Sequence, residues 1–487
     1  MAGDQNLHHV SKIGIIGAGI SGIAAAKQLS GHSPVVFEAT DSIGGVWKHC
    51  TYTSTKLQTP RCDFEFTDYP WPQRDNSSFP SHIEILEYLH NYASHFDVLK
   101  YVKLNSKVVE MRYIGDESES YFDQLETEPR EYGRLLSGRP VWEVAVQTNQ
   151  SPTLQWYAFE CLVMCLGKYG DIPKMPSFPP NKGREIFQGK VLHSLDYSKL
   201  DEAAAHRLLK GKKVVVIGYK KSAIDLAMEA AEANQDPDGQ PCTMVIRTLH
   251  WTVPSYWIWG KAISKFIESY LVWKLPLVKY GLKPDHPFEE DYASCQMAIL
   301  PENFFAEADN GRILFKRSSK WWFWSGGIEL EDNTKLEADV VALATGFDGN
   351  KKLKALLPQP FCRLIQHSTG NLPLYRGTIH PLIPNMAFVG YVESVSNLHT
   401  SELRSKWLAQ LVDEQFKLPT IEKMLEKTKK EMQVMKRSTR FYKRNCISTF
   451  SINHSDELCE DMGWKSWRKN TWFSEAFGPY TCQDYQY

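Results

Sequence analysis

No run of about 18 uncharged apolar residues occurs anywhere in the 487-residue chain, which argues against a membrane-spanning helix. Neither charge is in excess: 56 Lys and Arg stand against 57 Asp and Glu, a formal net charge of −1. Composition therefore gives no reason to expect nucleic acid or an anionic surface as the main partner. The ten cysteines include no CxxC pair and, in a chain this long, do not read as a disulfide framework. No metal centre is expected. The opening MAGDQNLHHVSK lacks the apolar stretch of a secretory signal and leads almost directly into a strand. A soluble protein of a reducing compartment, the cytoplasm, is the expectation. What is present is ordinary globular composition, 43% hydrophobic and 23% charged, at a length suited to roughly two to four domains.

One design occurs twice. In Lys12–Glu38 a short apolar run (Ile13, Ile15, Ile16) reads as a buried strand. It is followed by the turn Gly17-Ala18-Gly19-Ile20-Ser21-Gly22, an Ala-rich helix, and a second strand ending at Glu38. Lys212–Arg247 repeats strand, turn, helix and strand, with the loop Asn234–Pro241 before the last strand. Two such units predict an α/β fold with two Rossmann-like dinucleotide-binding domains. No low-complexity linker separates them, so the second is expected as an insertion in the first. The boundaries read as 1–185, 186–335 and 336–487, the outer two forming one domain. Strands are predicted at Val141–Val146, Ala158–Leu166 and Leu336–Phe347, and a helical region from Leu403 to about Lys436 before an irregular polar tail.

Each glycine of the first turn has a task. Gly17 permits the tight turn, Gly19 lets a pyrophosphate approach the backbone, and Gly22 lets helix and strand pack closely. The phosphates then meet the amides and positive dipole end of the helix. Glu38, 21 residues after Gly17, is placed to accept hydrogen bonds from ribose hydroxyls. Gly44-Gly45-Val46-Trp47 follows closely, a second backbone approach with an aromatic beside it, and reads as a further contact to a flavin.

The second turn, Gly218-Tyr-Lys-Lys221-Ser222-Ala223, departs from the pattern: Lys220 stands where the second glycine belongs, and Ala223 replaces the third. Removing the eight-residue loop Asn234–Pro241 brings Arg247 onto the Glu38 position. An arginine there suits a 2′-phosphate, so NADPH is expected rather than NADH. Two dinucleotide sites allow a hydride to pass from a nicotinamide to a flavin. Disulfide reductases share that architecture but need a redox cysteine pair. Cys50 and Cys62 are twelve apart, and Cys161 and Cys165 alternate within an apparent buried strand, so disulfide chemistry is disfavoured and molecular oxygen is the expected acceptor.

Further residues carry a resemblance. Phe187-Gln-Gly189-Lys-Val-Leu-His193-Ser-Leu-Asp-Tyr197 resembles the FxGxxxHxxx(Y/F) fingerprint of flavin-containing monooxygenases. Leu343-Ala-Thr-Gly-Phe347 resembles their second ATG-type segment, and Phe66-Thr-Asp-Tyr-Pro-Trp-Pro72 their FxDFPxP stretch. Within the family the chain is most similar to the plant enzymes that N-hydroxylate the cyclic amino acid pipecolate in systemic immunity. The resemblance implies FAD and NADPH as cofactors and a C(4a)-hydroperoxyflavin that oxygenates a nucleophilic nitrogen or sulfur of a small molecule. The cofactor carries that chemistry, and the protein binds, orients and excludes water. His193 is then expected to organise the linker between domains rather than to transfer a proton. Many members place an asparagine beside the flavin ring. Here Gln58, within Leu57-Gln58-Thr59, takes that place with the same donors and acceptor on a longer stem. The first ATG-type segment reads Cys165-Leu-Gly167.

Two other readings stay open: oxidative decarboxylation of an aryl 2-oxo acid, and a catalytically silent flavoprotein in which Lys220 blocks the second nucleotide. The aromatic stretch Trp251–Trp324 reads mainly as core and interface. Within it Lys261–Lys279 is amphipathic and could touch a membrane such as the endoplasmic reticulum peripherally.

Overall fold

The computed structural model describes residues 9–75, 78–115, 130–254, 264–366, 372–448, 451–477 and 480–486. Strand His9–Ile16 lies inside a seven-stranded sheet, parallel to Val35–Phe37 on one side and to Leu154–Met164 on the other. Ile13 and Ile15 are fully buried, as a strand covered on both faces requires. The 11-residue strand Leu154–Met164 is shared: its first half pairs antiparallel with Trp142–Thr148, its end parallel with Met386–Phe388. Helix Ile20–Gln28 keeps Ala24, Ala25 and Ala26 wholly buried, and these small side chains let it pack against helix Asn397–Val412.

A second sheet has five strands, all parallel, in the order Ile313–Arg317, Cys242–Ile246, Val214–Ile217, Val340–Leu343 and Lys190–His193. Chain enters it at Lys190 and leaves after Leu343, then returns to the first sheet at Met386, so the second unit is an insertion. Val340–Leu343, expected with the returning part of the first domain, lies inside the second sheet instead, because its four buried apolar residues fill the gap between Val214–Ile217 and Lys190–His193. The strand predicted over Leu336–Phe347 is accordingly two pieces. Lys335–Glu337 belongs to a small antiparallel sheet with Trp321–Trp324 and Gly327–Leu330. That sheet covers one face of the second domain through Phe323, Ile328 and Leu330.

Two sequence expectations are corrected. The tail beyond Lys436 is not irregular: helix Ile421–Ser438 is followed by helices Ser451–Asp461 and Trp472–Phe477. Leu458 and Cys459 are buried, and Arg376 binds Asp461 (Nε–Oδ2 2.8 Å) and Glu457, so ion pairs hold what polar composition concealed. The cysteines also yield one disulfide, Cys295–Cys446, joining residues 151 apart and tying the inserted domain to the C-terminal region. No spacing motif marks it, because the two cysteines meet only across the assembled domains.

Of the aromatic stretch, Trp251 is buried and donates from Nε1 to His286 O at 2.8 Å. Trp273 is exposed, and Trp257 and Trp259 lie outside the described residues. Residues 261–263 of the amphipathic segment also lie outside them; the remainder begins with helix Ser264–Lys274. Among the described residues no helix is long and apolar enough to cross a membrane.

Candidate active site

The first turn is built from backbone. Gly17 has φ +104°, and its amide donates to Phe37 O at 2.8 Å, so the turn starts at the end of one strand and is tied to the next. A Cβ on Gly22 would lie 1.8 Å from Gly17 O, which only glycine permits. On Gly19 a Cβ would meet nothing nearer than Gly45 Cα at 3.7 Å. Gly44 closes the arrangement by donating its amide to Ala18 O at 3.0 Å, and Gly44 and Gly45 both have positive φ. The two glycine turns thus face each other with backbone alone between them, the surface a diphosphate can approach.

Glu38 follows strand Val35–Phe37 directly; its Oε2 accepts from Ala18 N at 2.8 Å and its Oε1 from Thr40 N at 3.0 Å and Thr40 Oγ1 at 2.8 Å. The carboxylate is thereby fixed against the turn, with acceptor capacity left. Ser21 Oγ lies 3.0 Å from Ser401 Oγ, pinning the helix start to the returning helix, and Ile20 is half-buried beside it. Val46 and Trp47 open the short helix Val46–His49, with the Trp47 ring edge-on to Phe64 at 6.1 Å.

Leu57, Gln58 and Thr59 lie on the segment that faces the inserted domain. Leu57 is buried and donates its amide to Pro80 O. Thr59 is buried, and its Oγ1 has no hydrogen-bond partner among the described residues. Gln58 reaches across: its Oε1 accepts from Ile299 N, in strand Ala298–Leu300 of the inserted domain, at 3.0 Å. An N–H must meet an oxygen, so the Gln58 Nε2 donors face the other way.

At the second turn Gly218 has φ +140°, and a Cβ there would lie 2.8 Å from Ala344 O. Its amide donates to Val245 O at 3.0 Å, and Ala223 is buried beneath the turn. Helix Lys221–Ala233 follows, capped by Lys220. Lys221 turns back onto its own helix to pair with Asp225, so its charge is already engaged, and Ser222 lies against the Tyr52 hydroxyl.

Register corrects the alignment of Arg247 with Glu38. Ile16 pairs with Phe37 and Ile217 with Val245, spans of 21 and 28 residues. Buried Ile246 therefore holds the Glu38 position, and exposed Arg247 stands one residue further on. The net insertion is seven residues, of which helix Lys221–Ala233, with 13 residues against nine in Ile20–Gln28, supplies four, so the insertion is divided between helix, loop and strand. Loop counting ignored that difference.

Sequence reading missed a polar cluster between the domains. Glu393 accepts from Tyr169 Oη at 2.6 Å and Arg444 Nε at 2.9 Å, and Lys168 Nζ stands 3.4 Å away. Burial works against the Glu393 charge, yet Arg444 and Lys168 hold its carboxyl below the usual range. On the inserted domain Asp291, fully buried, has His250 Nδ1 at 2.8 Å, His286 Nε2 at 2.9 Å, and Trp251 N donating at 2.6 Å. The His250 contact is a hydrogen bond, whereas His286 Nε2 has no hydrogen-bond partner among the described residues, and one ligand atom from each of the three side chains lies within 4.8 Å of the others. His250 lies 36 residues from His286 and 41 from Asp291, and Glu393 is 51 residues from Arg444, so no local motif announces either group.

His193 Nδ1 accepts from Leu195 N at 3.1 Å, and its ring packs edge-on against Phe347 at 5.3 Å. It caps the helix Ser194–Tyr197 and ties the fingerprint to the second ATG-type segment. A cavity of about 460 Å³ lined by Met175, Phe178, Val191, Phe323 and Leu343 includes none of the candidate site residues.

A family profile described as flavin-binding monooxygenase-like matches residues 10–474. The chain is 58% identical to "Probable flavin-containing monooxygenase 1" of Arabidopsis thaliana, over 100% of this chain and 98% of that protein. Among solved structures, an ε-caprolactone-bound cyclohexanone monooxygenase superposes with a TM-score of 0.69 at 18% identity, covering 93% of this chain and 98% of that one. The structure titled OTEMO complex with FAD and NADP gives 0.67 at 18% identity, covering 90% and 92%. The two low-identity likenesses confirm the fold of paired Rossmann-like domains. With a profile that spans nearly the whole chain, the protein is an enzyme of the flavin-binding monooxygenase-like family.

Proposed function

We propose an NADPH- and oxygen-dependent FAD monooxygenase that oxygenates a nucleophilic nitrogen of a small molecule. N-hydroxylation of a cyclic amino acid such as pipecolate is the reaction the sequence resemblance favours, with a sulfide sulfur as the alternative acceptor. Gln58 carries the reading: it belongs to the first domain yet its side chain accepts from Ile299 N of the second at 3.0 Å, a contact that supports a role for it between the two nucleotide sites.

Bound FAD supplies hydride acceptance and oxygen activation. The chain does the rest. Gly17–Gly22 and Gly44-Gly45 present backbone to the diphosphate, and Glu38 offers its remaining acceptor capacity to ribose hydroxyls. Thr59 Oγ1 is a buried polar atom suited to a flavin ring edge. Gln58, its oxygen engaged by Ile299, directs Nε2 as a donor toward the reacting face. Arg247, exposed at the end of strand Cys242–Ile246, provides a guanidinium for a 2′-phosphate. Disulfide chemistry finds no support at Cys50 or Cys62, whose thiols burial pushes up to about 11, far from a reactive thiolate.

A cytoplasmic location is proposed, with exposed Phe266 and Trp273 on helix Ser264–Lys274 as apolar points for a peripheral membrane contact.

The test is product stoichiometry. Purified FAD-loaded protein given NADPH, oxygen and pipecolate is expected to form one hydroxylated product per NADPH consumed. Turnover with a sulfide alone moves the acceptor to sulfur, and NADPH consumption yielding only hydrogen peroxide with every amine and sulfide offered refutes the monooxygenase reading.

A further inference from the structure

His250, His286 and Asp291 bring metal-ligand chemistry together at a place that neither glycine turn uses. No fourth His, Cys, Asp or Glu joins them among the described residues. They come from two parts of the inserted domain. His250 lies between strands Cys242–Ile246 and Thr252–Pro254, whereas His286 and Asp291 stand before and within helix Phe288–Ala293. Trp251 fastens the two parts together: its amide donates to Asp291 Oδ2 at 2.6 Å and its Nε1 to His286 O at 2.8 Å. The Phe441 ring packs against both imidazoles, 4.9 Å from His250 and 5.2 Å from His286 between centroids.

Contacts within the set are unequal. His250 Nδ1 is hydrogen-bonded to Asp291 Oδ1 at 2.8 Å. His286 Nε2 stands 2.9 Å from Asp291 Oδ2 yet has no hydrogen-bond partner among the described residues, on a side chain only 1% exposed. The nitrogen is therefore near the carboxylate but out of line for an N–H donor. A buried nitrogen left in this way costs free energy unless another group satisfies it. The other nitrogen, His286 Nδ1, faces Asp285 Oδ1 at 3.3 Å. A proton held there leaves Nε2 as a lone pair, and a lone pair beside a carboxylate calls for a cation between them.

We propose that His250 Nδ1, His286 Nε2 and Asp291 Oδ1 bind a divalent transition-metal ion, zinc in the first place, with water as the fourth ligand. Two imidazoles and a carboxylate are donors that suit zinc. Zinc–ligand lengths of about 2.0–2.2 Å put tetrahedral neighbours about 3.3 Å apart, so the donors spread by about half an ångström to admit the ion. His250 then carries its proton on Nε2, and the Trp251 amide keeps Asp291 Oδ2. All three side chains are buried, so the ion is structural. It closes the base of the segment 251–285 and steadies strand Thr252–Pro254, whose partner strand Ala298–Leu300 holds Gln58 through Ile299. No spacing motif marks the three residues, hence the expectation from sequence of no metal centre.

The experiment is metal analysis by plasma mass spectrometry of the FAD-loaded full-length protein, dialysed first with zinc and then against metal-free buffer. Retention of about one zinc per chain is expected, and no retention of magnesium, which prefers oxygen ligands. His286→Ala and Asp291→Asn, each checked for bound FAD and native circular dichroism, are expected to retain at least roughly tenfold less zinc. His90→Ala, at an exposed histidine, should retain as much as the wild type. Stripping the wild type with a chelator should lower its melting temperature, and zinc alone should restore it. Should the variants fail to fold, X-ray absorption at the zinc edge of the wild type decides. Nitrogen and oxygen ligands with imidazole scattering support the site, and sulfur ligands or oxygen alone overturn it. Wild-type protein that retains no zinc overturns the inference, as does zinc held equally by the wild type and both variants, an adventitious ion only.

Discussion

Gln58 Oε1 accepts a hydrogen bond from Ile299 N at 3.0 Å, joining residues 241 apart in sequence and belonging to different domains. The contact fixes which end of the carboxamide faces the reacting centre. Gln58→Leu removes donors and acceptor together at similar size, leaving the Ile299 amide without its acceptor. The FAD content of this variant is expected to stay normal, while the fraction of NADPH yielding peroxide instead of product rises several-fold. Gln58→Glu, which keeps the acceptor and loses the donor, is expected to uncouple as well. Coupling ratios from paired NADPH and product assays check this.

Gly19 and Gly22 are expected to fail differently. A methyl at Gly22 collides with Gly17 O at 1.8 Å, so Gly22→Ala damages the turn itself and lowers the melting temperature. A methyl at Gly19 touches only Gly45 Cα at 3.7 Å, so Gly19→Ala folds, but it occupies the approach of the pyrophosphate. Gly19→Val does so more fully. Circular dichroism should report a native fold for both Gly19 variants, and flavin absorbance a protein poor in FAD, most so for Val.

Arg247→Ala is expected to weaken NADPH by about 1.5–3 kcal/mol, roughly ten- to hundred-fold, through loss of a charge-assisted phosphate contact. NADH binding should change little. Dissociation constants for both coenzymes decide the matter, and equal losses would remove Arg247 from the 2′-phosphate.

The Cys295–Cys446 disulfide closes a loop of 151 residues, so its reduction should lower stability by about 2–4 kcal/mol. The melting temperature of the wild type is expected to fall with reductant. Cys295→Ser should melt at the reduced value under both conditions.

Burial holds the His380 imidazole down to about 4. Its folded value lies below its unfolded value of about 6.5, so the unfolded chain binds the extra proton first. The stability His380 contributes is therefore full above pH 6.5 and is lost as pH falls toward 4, at about 1.4 kcal/mol per unit. Glu431, raised to about 7 by burial, works in the opposite direction, so the informative quantity is a difference between proteins. His380→Asn should lose less stability than wild type between pH 6.5 and pH 4.5 in denaturant titrations.

Particular residues show how far the sequence could be read. Gly17, Gly19 and Gly22 were legible because each answers a steric demand local to one turn, and the strand before it and helix after it advertise themselves by period. Arg247 was aligned with Glu38 one position off, since residue counting cannot divide an insertion between loop and helix. Val340–Leu343 was recognised as a strand and attributed to the wrong sheet, because apolar runs do not encode their neighbours. Gln58–Ile299, Glu393–Arg444 and Cys295–Cys446 left no local trace at all. Each is a meeting of segments that only the assembled domains bring together.

The most direct measurement is anaerobic mixing of the FAD-loaded protein with NADPH, followed by admission of oxygen with and without pipecolate, while flavin absorbance and product are recorded. Bleaching by NADPH is expected, then reoxidation that pipecolate accelerates with formation of the N-hydroxylated product. A flavin that NADPH does not bleach, or one that reoxidises at the same rate with only peroxide released whatever the nucleophile, would contradict it.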